Sequence, residues 1–158
     1  MAQLAVRSVG ATDADDLALA AGLLVAFNRE FGEPAPSVDV LAARLAELVG
    51  GGDTVVLLAG DPAVAVAVLR FRRAIWSPGL EAYLAELYVA PDRRGTGIGR
   101  SVMEAVLDLA RARGADYMEI GVDEPDTAAR GLYESLGFSN REGGDGPVMY
   151  VYERELRP

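Results

Sequence analysis

Apolar and polar positions recur along this chain with two periods, near two and near three and a half residues, and the switches between them predict a mixed α and β body. Residues 3–8, QLAVRS, alternate and predict a strand, after which ATDAD supplies N-cap candidates for a helix over about 14–28. Val38, Leu41, Leu45 and Leu48 share one face of a second helix, about 38–49, which glycines 50–52 stop. TVVLLAG (54–60) and AVAVAVLRF (63–71) are short apolar runs with a Gly-Asp-Pro turn between them, the pattern of an antiparallel hairpin. Ser77-Pro78-Gly79 then turns the chain into LEAYLAELYVA, a long strand ending at Pro91. Val102, Val106 and Leu109 recur at helical spacing from Gly97 to Arg113, with Gly114 as the C-terminal cap. YMEIGV (117–122) predicts a strand and 126–136 a helix closed by Leu136-Gly137-Phe138, where Gly137 takes the left-handed position and Phe138 folds back on the last turn. VMYVYERE, 148–155, predicts a final strand, with a short extra strand near 138–142 as an option. The predicted order is β-α-α-β-β-β-α-β-α-β with one strand-loop-helix-strand crossover at its centre.

Composition narrows what such a body can do. The 158 residues fit one domain, 1–158, because a chain of this size buries roughly 70% of its unfolded surface around one core, and no repeat, low-complexity segment or linker interrupts it. With neither cysteine nor histidine, disulfides, thiolate or imidazole metal sites and a Ser-His-Asp triad are excluded, so no metal is expected. The N-terminal stretch has no basic region followed by an apolar one, and no apolar run approaches the ~20 residues that span a bilayer; the expected location is the cytoplasm, without a membrane partner. A net charge of -9 disfavours nucleic acid as a partner and suits a cationic substrate, although an acidic surface also serves solubility alone.

The chemistry-bearing stretch is RRGTGIGRS, residues 93–101, a glycine-rich turn between a strand and a helix. Such a turn presents main-chain N–H groups at the positive end of a helix, a geometry that holds phosphate. Gly95, Gly97 and Gly99 remove side chains from the path of a diphosphate, Arg93, Arg94 or Arg100 would add charge, and Ser101 a hydroxyl. A triphosphate loop would need Lys before the hydroxyl residue, where Arg100 stands; a dinucleotide loop would need a third glycine at that same position. A turn eased by glycines and holding no ligand is the plain alternative.

The arrangement ELYVAPDRRGTGIGRSVM, followed one helix and one strand later by DTAARGLYESLGF, resembles the GNAT superfamily of acetyl-coenzyme A-dependent N-acetyltransferases. The signature Arg/Gln-x-x-Gly-x-Gly/Ala is matched by Arg94, Gly95, Thr96, Gly97, Ile98 and Gly99, and the second segment carries the family's Leu-Tyr and Leu-Gly-Phe. The specific resemblance covers residues 86–138. It implies an α+β fold with a mixed, mostly antiparallel central sheet flanked by helices, and one splayed parallel strand pair holding the cofactor. It also implies a diphosphate cradled by the amides of residues 95–99, and a pantetheine arm paired with the backbone of Leu87, Tyr88 and Val89. Asp126 stands where the family often has Asn; an aspartate still accepts a hydrogen bond or caps a helix but cannot donate as the amide does.

Acetyl transfer from a thioester to an amine needs an uncharged nucleophile, donors for an oxyanion and a proton for the departing thiolate. An alkylamine has a pKa near ~10.4 and must lose a proton first. Glu81 and Glu86 are candidate bases on the central strand; Glu86, next to the bulge that the resemblance implies in the strand before the glycine turn, is preferred, directly or through water, against the plain reading of an exposed or ion-paired carboxylate. The resemblance gives Tyr133 the role of general acid, against the plain reading of a packed amphipathic tyrosine, and it gives the oxyanion a backbone donor near Leu87–Val89. The resemblance places the acceptor against the helical segment after the first strand and the loops opposite the cofactor, which makes Asn28, Glu30 and Glu33, with Trp76, Tyr83, Asp123 and Glu124, candidates for that side, against the plain reading of solvated surface or core residues. The expected function is transfer of an acetyl group to a primary amine, small molecule or peptide, in a ternary complex, with coenzyme A as cosubstrate; homodimers are common in the family. A non-catalytic acyl-coenzyme A sensor on the same fold is the alternative, and a nucleotide-dependent oxidoreductase a more distant one.

Overall fold

The computed structural model describes residues 4–158, which pack as two compact units, one running to Ile120 and the other Gly121–Pro158. In the first, strand β1 (Val6–Ser8) is followed by helices α1 (Ala14–Glu30) and α2 (Val38–Gly50), strands β2 (Thr54–Ala59), β3 (Ala65–Arg73) and β4 (Leu80–Val89), helix α3 (Ile98–Ala112) and strand β5 (Ala115–Ile120). The strands lie in chain order, antiparallel from β1 to β4 and parallel between β4 and β5. A mixed, mostly antiparallel sheet is the expected fold class.

Local chemistry sets the boundaries. Asp13 accepts from the Asp16 amide at 3.1 Å and Ser37 from the Val40 amide at 3.3 Å, starting α1 and α2 as N-caps do. Arg7 forks onto both carboxylate oxygens of Asp16, at 2.8 and 2.9 Å, and donates to the Gly60 carbonyl at 2.9 Å, tying β1 to α1 and to the turn after β2. Leu17, Ala20, Ala21 and Leu24 of α1 and Leu45 of α2 close over Val56, Leu58, Val66, Val68 and Tyr88 on one face of the sheet. Helix α3 packs across β1 to β5 through its buried stripe Ile98, Val102, Met103, Val106 and Ala110.

In the second unit, helix α4 (Thr127–Ser135) starts at Asp126, whose carboxylate accepts from the Ala129 amide at 3.0 Å. Its end is a Schellman turn: the Phe138 amide donates to the Tyr133 carbonyl and the Gly137 amide to Glu134, with Gly137 at φ 92°.

The final strand expected at 148–155 does not form, nor does the optional one near 138–142. Arg141 and Val148 make an isolated antiparallel bridge, Glu142–Gly144 is a short 3-10 turn, and from Met149 on the chain is exposed and outside any strand. Alternation of Val, Met and Tyr records β propensity only, and a strand exists when another backbone completes its ladder; here the Met149 amide on the Asn140 carbonyl, at 2.7 Å, is the last main-chain bond of the segment among those between described residues outside helices and strands. The expected start of β1 at Gln3 lies outside the described residues. The remaining elements keep their expected places within a few residues, β5 beginning and ending two residues early.

Candidate active site

The site begins with an irregularity in β4. Val68 of β3 faces Glu86 while the next residue, Leu69, faces Leu84, so Ala85 is an extra residue, a β-bulge. Paired residues share a face: Leu84 lies with Leu69 and Ala82 with Phe71, whereas Glu86 lies with Val68 and Tyr88 with Val66, which belong to the cluster beneath α1 and α2. The bulge therefore turns Glu86 onto the α1–α2 side. The parallel ladder to β5 ends in the same region, its last pair being Leu84 with Ile120, while β4 continues to Val89. Leu87, Tyr88 and Val89 thus run on past the end of β5.

Glu86 has no hydrogen bond or ion pair among the described residues. Its carboxyl is reached by solvent, yet desolvation by the surrounding protein raises its pKa above the ordinary 4.5. Glu81, the other candidate, is committed: Arg72 donates to it at 2.6 Å and to Glu119 at 3.0 Å.

Beyond β4, Pro91–Arg93 makes one 3-10 turn, and Gly95 and Gly97 take φ of 74° and 85°, a region that side chains with a Cβ avoid. A Cβ placed on either meets no atom within 4 Å, so the turn is open above its backbone. Gly97 caps α3, and the Ser101 amide bonds to the Gly97 carbonyl at 3.1 Å; the Ile98 and Gly99 amides, at the head of the helix, have no main-chain partner among the described residues.

Several side chains of this exposed turn are bonded to nearby carbonyls and carboxylates. Thr96 donates its hydroxyl to the Arg93 carbonyl at 2.7 Å, and Ser101 to Gly97 at 3.2 Å. Arg94 donates from Nε to the Val89 carbonyl at 2.9 Å and from Nη2 to both Glu30 oxygens at 2.9 and 3.1 Å, with its guanidinium 5.5 Å from the centre of the Tyr88 ring. The amides of residues 95–99 have no main-chain partner among the described residues, and Arg93 and Arg100 are exposed beside them.

In the second unit, Tyr133 is the buried side chain of α4, and its phenol makes no hydrogen bond among the described residues. Desolvation first, and the Asp126 charge second, push its pKa up to about 12, so it holds its proton throughout the neutral range.

The acceptor-side candidates scatter into other duties. Asn28 donates to the Pro34 carbonyl at 2.8 Å, shaping the turn after α1, and Glu30 is held by Arg94. Trp76 is 94% exposed, and Glu33 and Tyr83 are exposed too. The Asp123 and Glu124 carbonyls accept from the Asp126 amide and from Arg130. The aromatic row Phe31, Phe27 and Tyr88, with ring centres 5.4 and 5.0 Å apart, and the Glu30–Arg94 pair were not anticipated. Nothing local to Glu30 marks a partner 64 residues away.

A sequence model described as Acetyltransferase (GNAT) family matches residues 22–138. The chain belongs to the GNAT family of acetyltransferases. A crystal structure from Arthrobacter sp. FB24, described as a candidate acetyltransferase, is 47% identical with a TM-score of 0.84, the alignment covering 96% of each chain. Among curated relatives, the mycothiol acetyltransferase of Thermobispora bispora is 47% identical over 64 residues, 39% of this chain and 22% of its own length. The thialysine N-epsilon-acetyltransferase of Bos taurus is 28% identical over 96 residues, 61% of this chain and 56% of its own. The chain thus spans about a fifth of the length of the mycothiol enzyme it matches. GNAT proteins use acetyl-coenzyme A as cosubstrate, and the turn here suits its diphosphate: open space, two left-handed glycines and a helix start coincide. No helix of the described residues is long and apolar enough to cross a membrane.

Proposed function

We propose that the chain transfers an acetyl group from acetyl-coenzyme A to a small primary amine, by direct transfer in a ternary complex. The observation that carries this reading is the open turn Gly95–Gly97 heading α3, set just after a strand whose bulge turns an unpaired carboxylate to the α1–α2 side. Bound acetyl-coenzyme A supplies the activated acyl group as a thioester. The amides of residues 95–99 hold its diphosphate, with Arg93 and Arg100 adding charge, and the backbone of Leu87, Tyr88 and Val89 holds the pantetheine arm and offers a donor to developing negative charge.

Glu86 takes the proton that the amine must lose. An ordinary carboxyl and an alkylammonium differ by about 6 pKa units, ~8 kcal/mol against direct transfer, so Glu86 takes the proton through water and passes it on to bulk solvent. The raised pKa of Glu86 narrows that gap, and its charge favours a cationic acceptor.

Tyr133 supplies the proton donor for the departing sulfur. At about 12 its phenol is a weaker acid than a thiol, ordinarily near 8.5, so it acts first as a hydrogen-bond donor and releases the proton late. Asp126 is engaged as the cap of α4, which leaves its second oxygen for an amide of the arm.

The relatives named for mycothiol and for the epsilon-nitrogen of thialysine support a small-molecule acceptor. The test is a thiol-release assay across a panel of small amines, including thialysine and polyamines. Amine-dependent release of coenzyme A thiol is expected; binding of coenzyme A with no release across the panel would make the chain a sensor instead.

A further inference from the structure

We propose that Glu30 is a positioning residue for the coenzyme-binding turn, acting through Arg94, and not a ligand of the acceptor. The inference rests on the reading of that turn given above.

The argument starts from a local cost. Glu30 is the last residue of α1, where the negative end of the helix dipole disfavours a carboxylate. A contact from elsewhere offsets that: Arg94 makes it, one terminal nitrogen lying within hydrogen-bond distance of both Glu30 oxygens. The same guanidinium reaches back through Nε to the carbonyl of Val89, the last residue of β4. Arg94 immediately precedes Gly95, so one side chain joins the end of the strand, the start of the glycine turn and the end of α1.

The carbonyl of Val64 fixes the strand exit further, accepting from the Ala90 amide at 2.8 Å. Phe27 and Tyr88, stacked at 5.0 Å, lie against the same end of α1 and β4, and the Arg94 cation stands over Tyr88. The base of the turn is thus held at several points while Gly95 and Gly97 stay open above. Binding an anion to amides that are already aimed avoids the entropy of ordering them. Glu30 keeps Arg94 in the one rotamer that serves this; without it, the partly exposed guanidinium is free to leave Val89.

The pair also has a simpler possible duty, fastening α1 to the sheet, and the two are separable by what they change. In the full chain, Glu30→Gln keeps shape and removes charge. Coenzyme A affinity by titration calorimetry, the KM values for acetyl-coenzyme A and for the amine, kcat and the melting temperature are measured together. The expected result is a roughly fivefold weaker Kd and higher KM for the coenzyme, as for loss of about 1 kcal/mol, with kcat and the amine KM within twofold. Arg94→Lys, which keeps charge but loses the planar fork, should weaken coenzyme binding similarly, and the double variant should be no worse than either alone. A lower melting temperature with unchanged coenzyme affinity would overturn the proposal in favour of a fastening role. A raised amine KM with unchanged coenzyme affinity would overturn it in favour of an acceptor ligand. Wild-type protein that binds no coenzyme A would instead remove the reading on which it rests.

Discussion

The ring of Phe138 stands edge-on to that of Tyr133, centroids 6.0 Å apart and planes at 64°, while the Phe138 amide donates to the Tyr133 carbonyl at 3.0 Å. Both contacts belong to one Schellman turn, whose hydrophobic partners are these residues. The Leu-Gly-Phe corner therefore fixes the backbone and the ring plane of the proposed proton donor together. Phe138→Ala should lower kcat several-fold while coenzyme A affinity stays within twofold, as steady-state kinetics and calorimetry would show. Unchanged kcat would mean that the ring contact is irrelevant to turnover.

Tyr133→Phe retains that ring contact and removes only the hydroxyl. Turnover should fall by about 10²-fold, the usual scale for losing a general acid, with the coenzyme Kd nearly unchanged. A variant as fast as the parent would take Tyr133 out of the mechanism.

Asp126→Asn separates the two causes of the high Tyr133 pKa. The amide oxygen still caps α4, so stability should hold, but the charge is gone. Titration of Tyr133, followed by carbon-13 labelled tyrosine, should move below about 12 yet remain above the ordinary 10, because desolvation is the larger cause and persists. An unmoved titration would rule out the Asp126 charge as a contributor.

Glu86 predicts opposite effects on rate and stability. Its folded-state pKa is raised, so folding favours the protonated carboxyl, and the ionised form at neutral pH is a cost. Stability gained from this group is present at low pH and declines as pH rises from 4.5 through the folded value. Glu86→Gln should therefore raise the melting temperature at pH 7 while lowering kcat/KM and abolishing the acid limb of its pH profile. An acid limb that survives in the variant would assign the base elsewhere.

Arg7 and Asp16 give a fold-level prediction with the other sign. The hydrogen bond from Arg7 holds the Asp16 carboxyl below its usual 3.8, so its contribution is complete above that value and is lost as pH falls through the lower folded one. Asp16→Asn should lower the melting temperature at pH 7 by about 2–4 °C, the shift expected for ~1 kcal/mol in a chain of this size. The difference from wild type should shrink in strong acid.

Much of the fold was legible because its signals are local. Gly137 and Phe138 encode a helix end within three residues, and the hairpin of β2 and β3 is written in two apolar runs and one turn. The absent strand at 148–155 shows the limit, since alternation in Val148–Tyr152 carries no information about a partner backbone. At the site, residue types and the glycine turn were readable, whereas contacts between distant segments were not. Arg94 looked like a phosphate ligand from its place before Gly95, and only the folded arrangement brings Glu30 and the Val89 carbonyl to its guanidinium. The bulge at Ala85 was expected only through the family resemblance: nothing in LAEL itself distinguishes it from regular strand, yet it decides the face on which Glu86 lies.

The most direct test of the account is a nitrogen-15 titration of the protein with coenzyme A, following the amide signals of Gly95, Thr96, Gly97, Ile98 and Gly99. The account predicts saturable downfield shifts concentrated on these five amides, as N–H groups that acquire an anionic acceptor show, reproduced by acetyl-coenzyme A, which carries the same diphosphate. Saturable binding that leaves all five amides unshifted while others respond would contradict it.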